Sequence, residues 1–160
     1  MNRALILLLA LVSAQGAAPA QDKPLEISMH TTKATGSFDV KMTPQSAADA
    51  AVGRFALDKQ YHGDLEATAA GEMLAAMTSF KGSGGYVAIE KVTGKLAGRS
   101  GSFYLEHTGV MNRGAASLVI TVVPDSGTGE LAGLAGSLTI KVAPGGAHSY
   151  EFDYSLPLKN

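Results

Sequence analysis

Three observations in the sequence predict an all-β fold, specifically an eight-stranded antiparallel up-and-down barrel. Apolar and polar residues alternate with period two in several runs, most clearly over 36–42 and 101–111. No segment sustains a clean 3.6-residue apolar period, so no helix longer than about three turns is expected. Nineteen glycines against 6% aromatic residues supply many tight turns. Strands joined mostly by short turns form a meander, and closing it into a barrel leaves no free sheet edge.

The chain has 160 residues, which makes it one domain by length. Met1-Asn2-Arg3 is a positive start, Ala4 to Val12 is an unbroken apolar run, and Ala18-Pro19-Ala20 precedes Gln21 as a small-x-small cleavage site. Residues 1–20 therefore read as a signal peptide, too short for a comfortable transmembrane helix, with a cut after Ala14 as the alternative. Export to the periplasm or the medium follows as an expectation, with no integral membrane segment in the mature form. No cysteine lies near the cut for lipid attachment, and the total absence of cysteine excludes disulfides and thiol chemistry. Residues 21–35 read as a tether and strand approach, and 36–158 as the barrel domain. The mature chain, about 140 residues, suffices for one useful core. A net charge of -1 with mixed signs excludes the basic face a nucleic-acid binder needs.

The elements follow in order. Gly36 to Met42 alternates as a half-buried strand, with Thr31-Thr32 as a backward extension, and Pro44 opens a loop. Arg54 to Tyr61 is a second strand, closed by the turn His62-Gly63-Asp64. Leu65 to Thr78 is rich in alanine, but Gly71 at its middle and the turn before it favour a third strand over a helix. Lys81 to Gly85 turns the chain into a fourth strand, Tyr86 to Leu96. Ala97 to Ser100 turns it into the fifth, which begins at Gly101. Leu118 to Val123 is a β-branched sixth strand, Pro124 to Gly136 the longest loop, Ser137 to Val142 the seventh strand and Ser149 to Leu156 the eighth.

The fifth strand organises the rest. Its phase puts Phe103, Leu105, His107, Gly109 and Met111 on one face, which reads as buried, and Tyr104, Glu106, Thr108 and Val110 on the other. Pairing the strands so that one face stays apolar sets Leu96 opposite Phe103, Val92 opposite His107 and Glu90 opposite Gly109. The same rule sets Met73 opposite Ala88, Gly71 opposite Glu90, Ile120 near His107 and Val122 near Leu105. Val142, Ile140 and Leu138 face Tyr150, Phe152 and Tyr154. Glu90 and His107 then point inward beside a void bordered by Gly71 and Gly109. A carboxylate near an imidazole performs acid–base work or orients a bound carbonyl; the competing reading is a structural pair, because a buried charge needs a partner. Lys59 is in phase with Phe55 and Leu57 but reads as a rim residue reaching solvent. Glu72 falls on the outer face, and a one-residue slip of the third strand would place it inside with Glu90.

Several chemistries find no support. Gly127 to Gly133 has glycine spacing one residue too long for a dinucleotide fingerprint and lacks a βαβ context. His30, His62, His107 and His148 show no metal-ligand spacing, and neither an HExxH nor a Gly-x-Ser-x-Gly motif occurs. The methionines at 29, 42, 73, 77 and 111 read as core fillers that also suit an adaptable apolar pocket. No metal or cofactor is implied, and nothing in the sequence specifies an oligomeric state.

Gly53-Arg54-Phe55, Tyr61 to Glu66, Gly71-Glu72-Met73, Gly85 to Glu90, Gly101 to Met111, Val123 to Gly133 and Ser149 to Phe152 resemble a bacterial family of small domains of unknown function. The resemblance runs from about Gly36 to Leu156. The family is similar in fold to the allene oxide cyclase barrel, an eight-stranded antiparallel barrel with a cavity. The resemblance thus implies a hollow barrel but no activity, and none of the cyclase's ligand-holding residues is carried over to this chain. The leading expectation is binding of a small apolar molecule, with Glu90 and His107 as polar contacts and Tyr86, Phe55, Met73, Phe103, Leu105 and Met111 as the apolar lining. The alternatives are an isomerase or cyclase that moves a proton through Glu90 or His107, and a filled structural barrel without a pocket.

Overall fold

The computed structural model describes residues 31–157. The expected signal peptide and its cleavage site lie outside the described residues. Eight strands follow one another: β1 (Thr31–Pro44), β2 (Gly53–Gly63), β3 (Leu65–Met77), β4 (Gly84–Leu96), β5 (Arg99–Asn112), β6 (Ala115–Val122), β7 (Ala135–Val142) and β8 (His148–Ser155). Each pairs antiparallel with its chain neighbour, and β8 returns to β1, closing the barrel. The one helix among the described residues is a short 3₁₀ turn over Gly129–Leu131. Residues 31–35, expected to approach the first strand, form its beginning.

The alanine-rich stretch from Leu65 is strand β3, and its inward residues explain its composition. Ala67, Ala69 and Gly71 point into the barrel and are small enough for larger side chains from β2 and β4 to meet over them. A Cβ on Gly71 would overlap the Ile89 carbonyl oxygen and lie 2.6 Å from Glu90 Cα. The glycine therefore allows the close approach of β4.

Two expected registers are corrected. β4 and β5 pair as Val92↔Phe103, Glu90↔Leu105, Ala88↔His107 and Tyr86↔Gly109, with Leu96 opposite Arg99. The connection is a two-residue turn in which Ala97 and Gly98 both have positive φ, 48° and 80°, the geometry that matches strand twist in tight hairpins. Arg99 and Ser100 thus belong to the strand rather than the turn. β7 and β8 pair as Val142↔His148, Ile140↔Tyr150 and Leu138↔Phe152. Both corrections shift the pairing by an even number of residues, so every side chain keeps its expected face. Elsewhere the expected partners meet: Gly71↔Glu90, Met73↔Ala88, His107↔Ile120 and Leu105↔Val122.

The interior has two unlike halves. Towards one end, Leu65, Leu96, Phe103, Val122, Leu138, Phe152 and Tyr154 pack into a continuous core. Each such side chain contributes about 1.5–3 kcal/mol by leaving water. The loop between β6 and β7 seals this end with Leu131 and Leu134, and its Thr128 amide donates to the Ser102 carbonyl at 2.8 Å. Tyr150 ties the same end together, accepting from the Leu65 amide at 2.8 Å and donating to the His62 carbonyl at 3.2 Å. Towards the other end the strands carry glycine, alanine and methionine, and the barrel is hollow. One seam is thin: β6 and β7 share the single residue pair Thr121↔Ser137, and Ala115 to Val119 of β6 are all exposed.

Candidate functional site

Where the packed half meets the hollow half, four polar side chains converge. Glu90 on β4 is fully buried (0% exposed), His107 on β5 is 4% exposed and Lys59 on β2 is 8% exposed. Tyr61, also on β2, is buried beside them. Lys59 Nζ donates to Glu90 Oε1 at 3.0 Å, and the Tyr61 hydroxyl donates to the same oxygen at 2.9 Å. His107 Nε2 lies 3.3 Å from it. Lys59 Nζ also stands 2.9 Å from Oε2, which it meets as a charge without an aligned hydrogen bond. The Phe38 and Tyr61 rings lie beside the ammonium, with centroids 5.1 and 5.8 Å away, and add cation–π attraction.

This arrangement keeps Glu90 ionised. Burial alone would raise its pKa, but the hydrogen bond from His107 and the charge of Lys59 outweigh that effect and hold the carboxyl below its ordinary value. Burial, reinforced by the Glu90 charge, pushes the Tyr61 hydroxyl upward, so it remains a protonated donor. The same two causes raise Tyr86. An ionised carboxylate can only accept, so His107 Nε2 carries its hydrogen and donates it to Glu90.

Beyond this cluster lies a cavity of about 520 Å³, open at the glycine- and methionine-rich end of the barrel. Phe38, Val40, Leu57, Met73, Ala88 and Ile140 form much of its wall, and Met42, Met77, Met111 and Val142 stand at the mouth. Lys59 and His107 are its polar floor, and His148 is a further polar group on the wall. A second depression lies outside β1–β4, among Asp39, Lys41, Asp58, Lys91 and Thr93. It is the larger of the two at about 650 Å³, but these charged groups are exposed to water and form no buried cluster. The interior cavity is the better candidate on chemical grounds.

The residues expected to form the site divide into three groups. Tyr86, Met73, Met111 and His107 line the cavity. Glu90 faces inward but stands behind Lys59 and His107, outside the lining. Phe55, Phe103 and Leu105 do not line the cavity; the last two belong to the packed half. The expected void between two glycines is corrected as well. Gly109 borders the cavity, but the Tyr86 ring occupies the space over it, and Gly71 is closed off by Glu90.

Lys59 is the principal correction among polar residues, because it sits mid-strand and inward rather than at the rim. A buried carboxylate needs a cation, and Lys59, in phase with Leu57, was the signal for it. Tyr61 was missed as a partner, although it shares that phase. Glu72 is on the outer face as expected, where Arg54 grips it through Nε at 2.9 Å and Nη2 at 2.6 Å. Among the described residues no cluster of three or more His, Cys, Asp or Glu could hold a metal ion, and no helix is long and apolar enough to cross a membrane.

Comparison with known proteins bears on the fold. The model of DUF3224, a family of proteins of unknown function, matches residues 34–154. A crystal structure of a DUF3224-family protein of unknown function from Shewanella oneidensis MR-1 is 51% identical to this chain, with a TM-score of 0.74. The match covers 82% of this chain and 100% of that one. Comparison with curated proteins returns no match.

Proposed function

We propose, from the premise that the chain belongs to the DUF3224 family, that it binds a small, largely apolar molecule in the hollow half of its barrel. Family membership brings a fold and no activity, so the reading rests on one observation. A barrel with a tightly packed lower half keeps about 520 Å³ open above a buried, charged floor. That volume falls within the range of about 300–1,000 Å³ typical of small-molecule sites. An apolar wall supplies affinity through burial, while Lys59 and His107 orient the guest. The methionines at the mouth adapt their shape at little cost. Residues 1–20 carry the features of a signal peptide, and on that basis the binding takes place after export.

The second reading is an isomerase or cyclase of the allene oxide cyclase kind. The observation favouring it is the Glu90–His107 hydrogen bond at the cavity floor, since a carboxylate that orients an imidazole raises its value as a base.

Native mass spectrometry of protein purified from its own host is the test. A stoichiometric apolar guest, displaced by a fluorescent apolar probe, is the expected result. Protein that carries no guest and binds no apolar probe would leave the structural barrel as the remaining reading. Chemical conversion of the identified guest would favour the isomerase.

A further inference from the structure

The cavity floor is specific about the hydrogen bonds it offers. His107 commits Nε2–H to Glu90, and its other ring nitrogen, Nδ1, has no hydrogen-bond partner. Glu90 Oε2 is the one fully buried side-chain nitrogen or oxygen without such a partner among the described residues. Nδ1 therefore keeps contact with open space, and the space beside His107 is the cavity. In the neutral imidazole that nitrogen is a lone-pair acceptor. Lys59 can only donate. The floor thus presents one acceptor and one cationic donor, both anchored to the same Glu90 oxygen.

We infer that the polar group of the bound molecule is a weakly acidic hydroxyl, a phenol or an enol, which gives its proton to His107 Nδ1 while Lys59 holds its oxygen. This rests on the cavity-binding reading and adds the chemistry of the head group. In the step the O–H bond breaks and an Nδ1–H bond forms; nothing else is transferred. Charge stays balanced throughout. Before transfer, Glu90 and Lys59 cancel; afterwards the imidazolium is matched by the oxyanion, and both new charges lie against an existing opposite charge. Such balance matters because an unmatched charge beside a buried ion pair is strongly unfavourable.

Other head groups satisfy the floor less well. A carboxylate reaches the same charge state only by drawing a second proton from water onto Nδ1, whereas the hydroxyl brings its own. A simple alcohol is too weak an acid to ionise against an imidazole. An ether or ester accepts from Lys59 and leaves Nδ1 unpaired. The remaining polar groups near the floor do not alter the balance. Tyr61 donates to Glu90, and Tyr86 and His148 are wall residues with no hydrogen bond to the cluster.

The experiment compares three probes of similar size on the folded protein: 4-butyl-2-nitrophenol, its methyl ether, and 4-butylbenzoate. Absorbance distinguishes the nitrophenol from its anion. At a pH below the free probe's own pKa, the bound nitrophenol should show the phenolate spectrum. It should also bind about tenfold tighter than the ether, as a hydrogen bond between charged partners implies, and tighter than the benzoate. In His107→Gln, which can still donate to Glu90 but cannot take the proton, bound nitrophenol should stay neutral. A phenol that binds no better than the ether and remains neutral would overturn the inference while leaving cavity binding intact. So would a phenolate spectrum that survives His107→Gln, or a preference for the benzoate. Failure of all three probes to bind would remove the cavity reading and this inference together.

Discussion

Lys59 on β2 and Glu90 on β4 meet across an intervening strand, 2.9 Å apart and both buried, because β3 offers only Ala69 and Gly71 beneath them. Each charge is compensated by the other, and Glu90 further by His107 and Tyr61. Replacing one partner, as Lys59→Met or Glu90→Gln, strands its mate and should cost about 3–5 kcal/mol. The double variant Lys59→Met/Glu90→Gln should cost clearly less than the sum. Urea unfolding midpoints of the four proteins form the cycle that measures this; additive losses would show that the two charges do not depend on one another.

Acid should expose the same dependence. The folded-state pKa of Glu90 is lowered, so its contribution is complete above the unfolded carboxylate value and is lost as pH falls through the folded value. Wild-type stability is therefore expected to decline across that acidic window, and Glu90→Gln should flatten the decline. Glu72 and Glu151, lowered by Arg54 and Lys141 respectively, act with the same sign but lie on the solvent side of the barrel wall, where water and salt screen them, so most of the slope should belong to Glu90. A slope untouched by Glu90→Gln would assign it elsewhere.

The two glycines beside the cluster should respond differently to a methyl group. Gly71→Ala sets a Cβ against backbone of β4, which cannot move without parting the ladder, and a loss of about 1–3 kcal/mol is expected. Gly109→Ala meets the ring of Tyr86, a half-buried side chain at the cavity wall. That ring can swing aside, so stability should change less while probe affinity changes more. Thermal unfolding and probe titration of both variants decide; equal losses would mean that Tyr86 is as fixed as the backbone.

At the β4–β5 turn, Ala97 holds a left-handed conformation that costs an L-residue about 1–2 kcal/mol and that asparagine tolerates better. Its side chain is exposed. Ala97→Asn should raise stability by up to about 1 kcal/mol, read as a later urea midpoint with an unchanged slope. A decrease would show that the alanine methyl makes a contact worth more than the strain.

Much of the barrel was legible because face depends on period, whereas register depends on turns. The alternation around Phe103, Leu105 and His107 survives any even shift, so the misplaced β4–β5 hairpin left every side chain on its proper side. Ala97 hid the turn, since alanine at positive φ leaves no compositional mark, unlike Asn-Gly. Glu90 and His107 were readable as inward polar residues. Lys59 was not, because a lysine on an apolar face suggests a stem reaching for water until its buried counterion is recognised. Gly71 was ambiguous in kind: an absent side chain means either empty space or close contact, and only the neighbouring strand's position decides. The division into a packed and a hollow half depends on the long β6–β7 loop folding back with Leu131 and Leu134 as a plug, a tertiary event with no periodic signature.

The β6–β7 seam, joined at Thr121 and Ser137 alone, makes the barrel wall uneven in time as well as in space. Amide protons along the other seams are released only when a long ladder unzips, whereas those on the free side of upper β6 exchange during small local excursions. Ala116, Ser117 and Leu118 on one bank and Ile140 and Val142 on the other also border the cavity. Opening of this seam would widen the chamber sideways, away from the Lys59–Glu90 floor. Deuterium uptake along Ala115 to Val119 should slow when the chamber is filled.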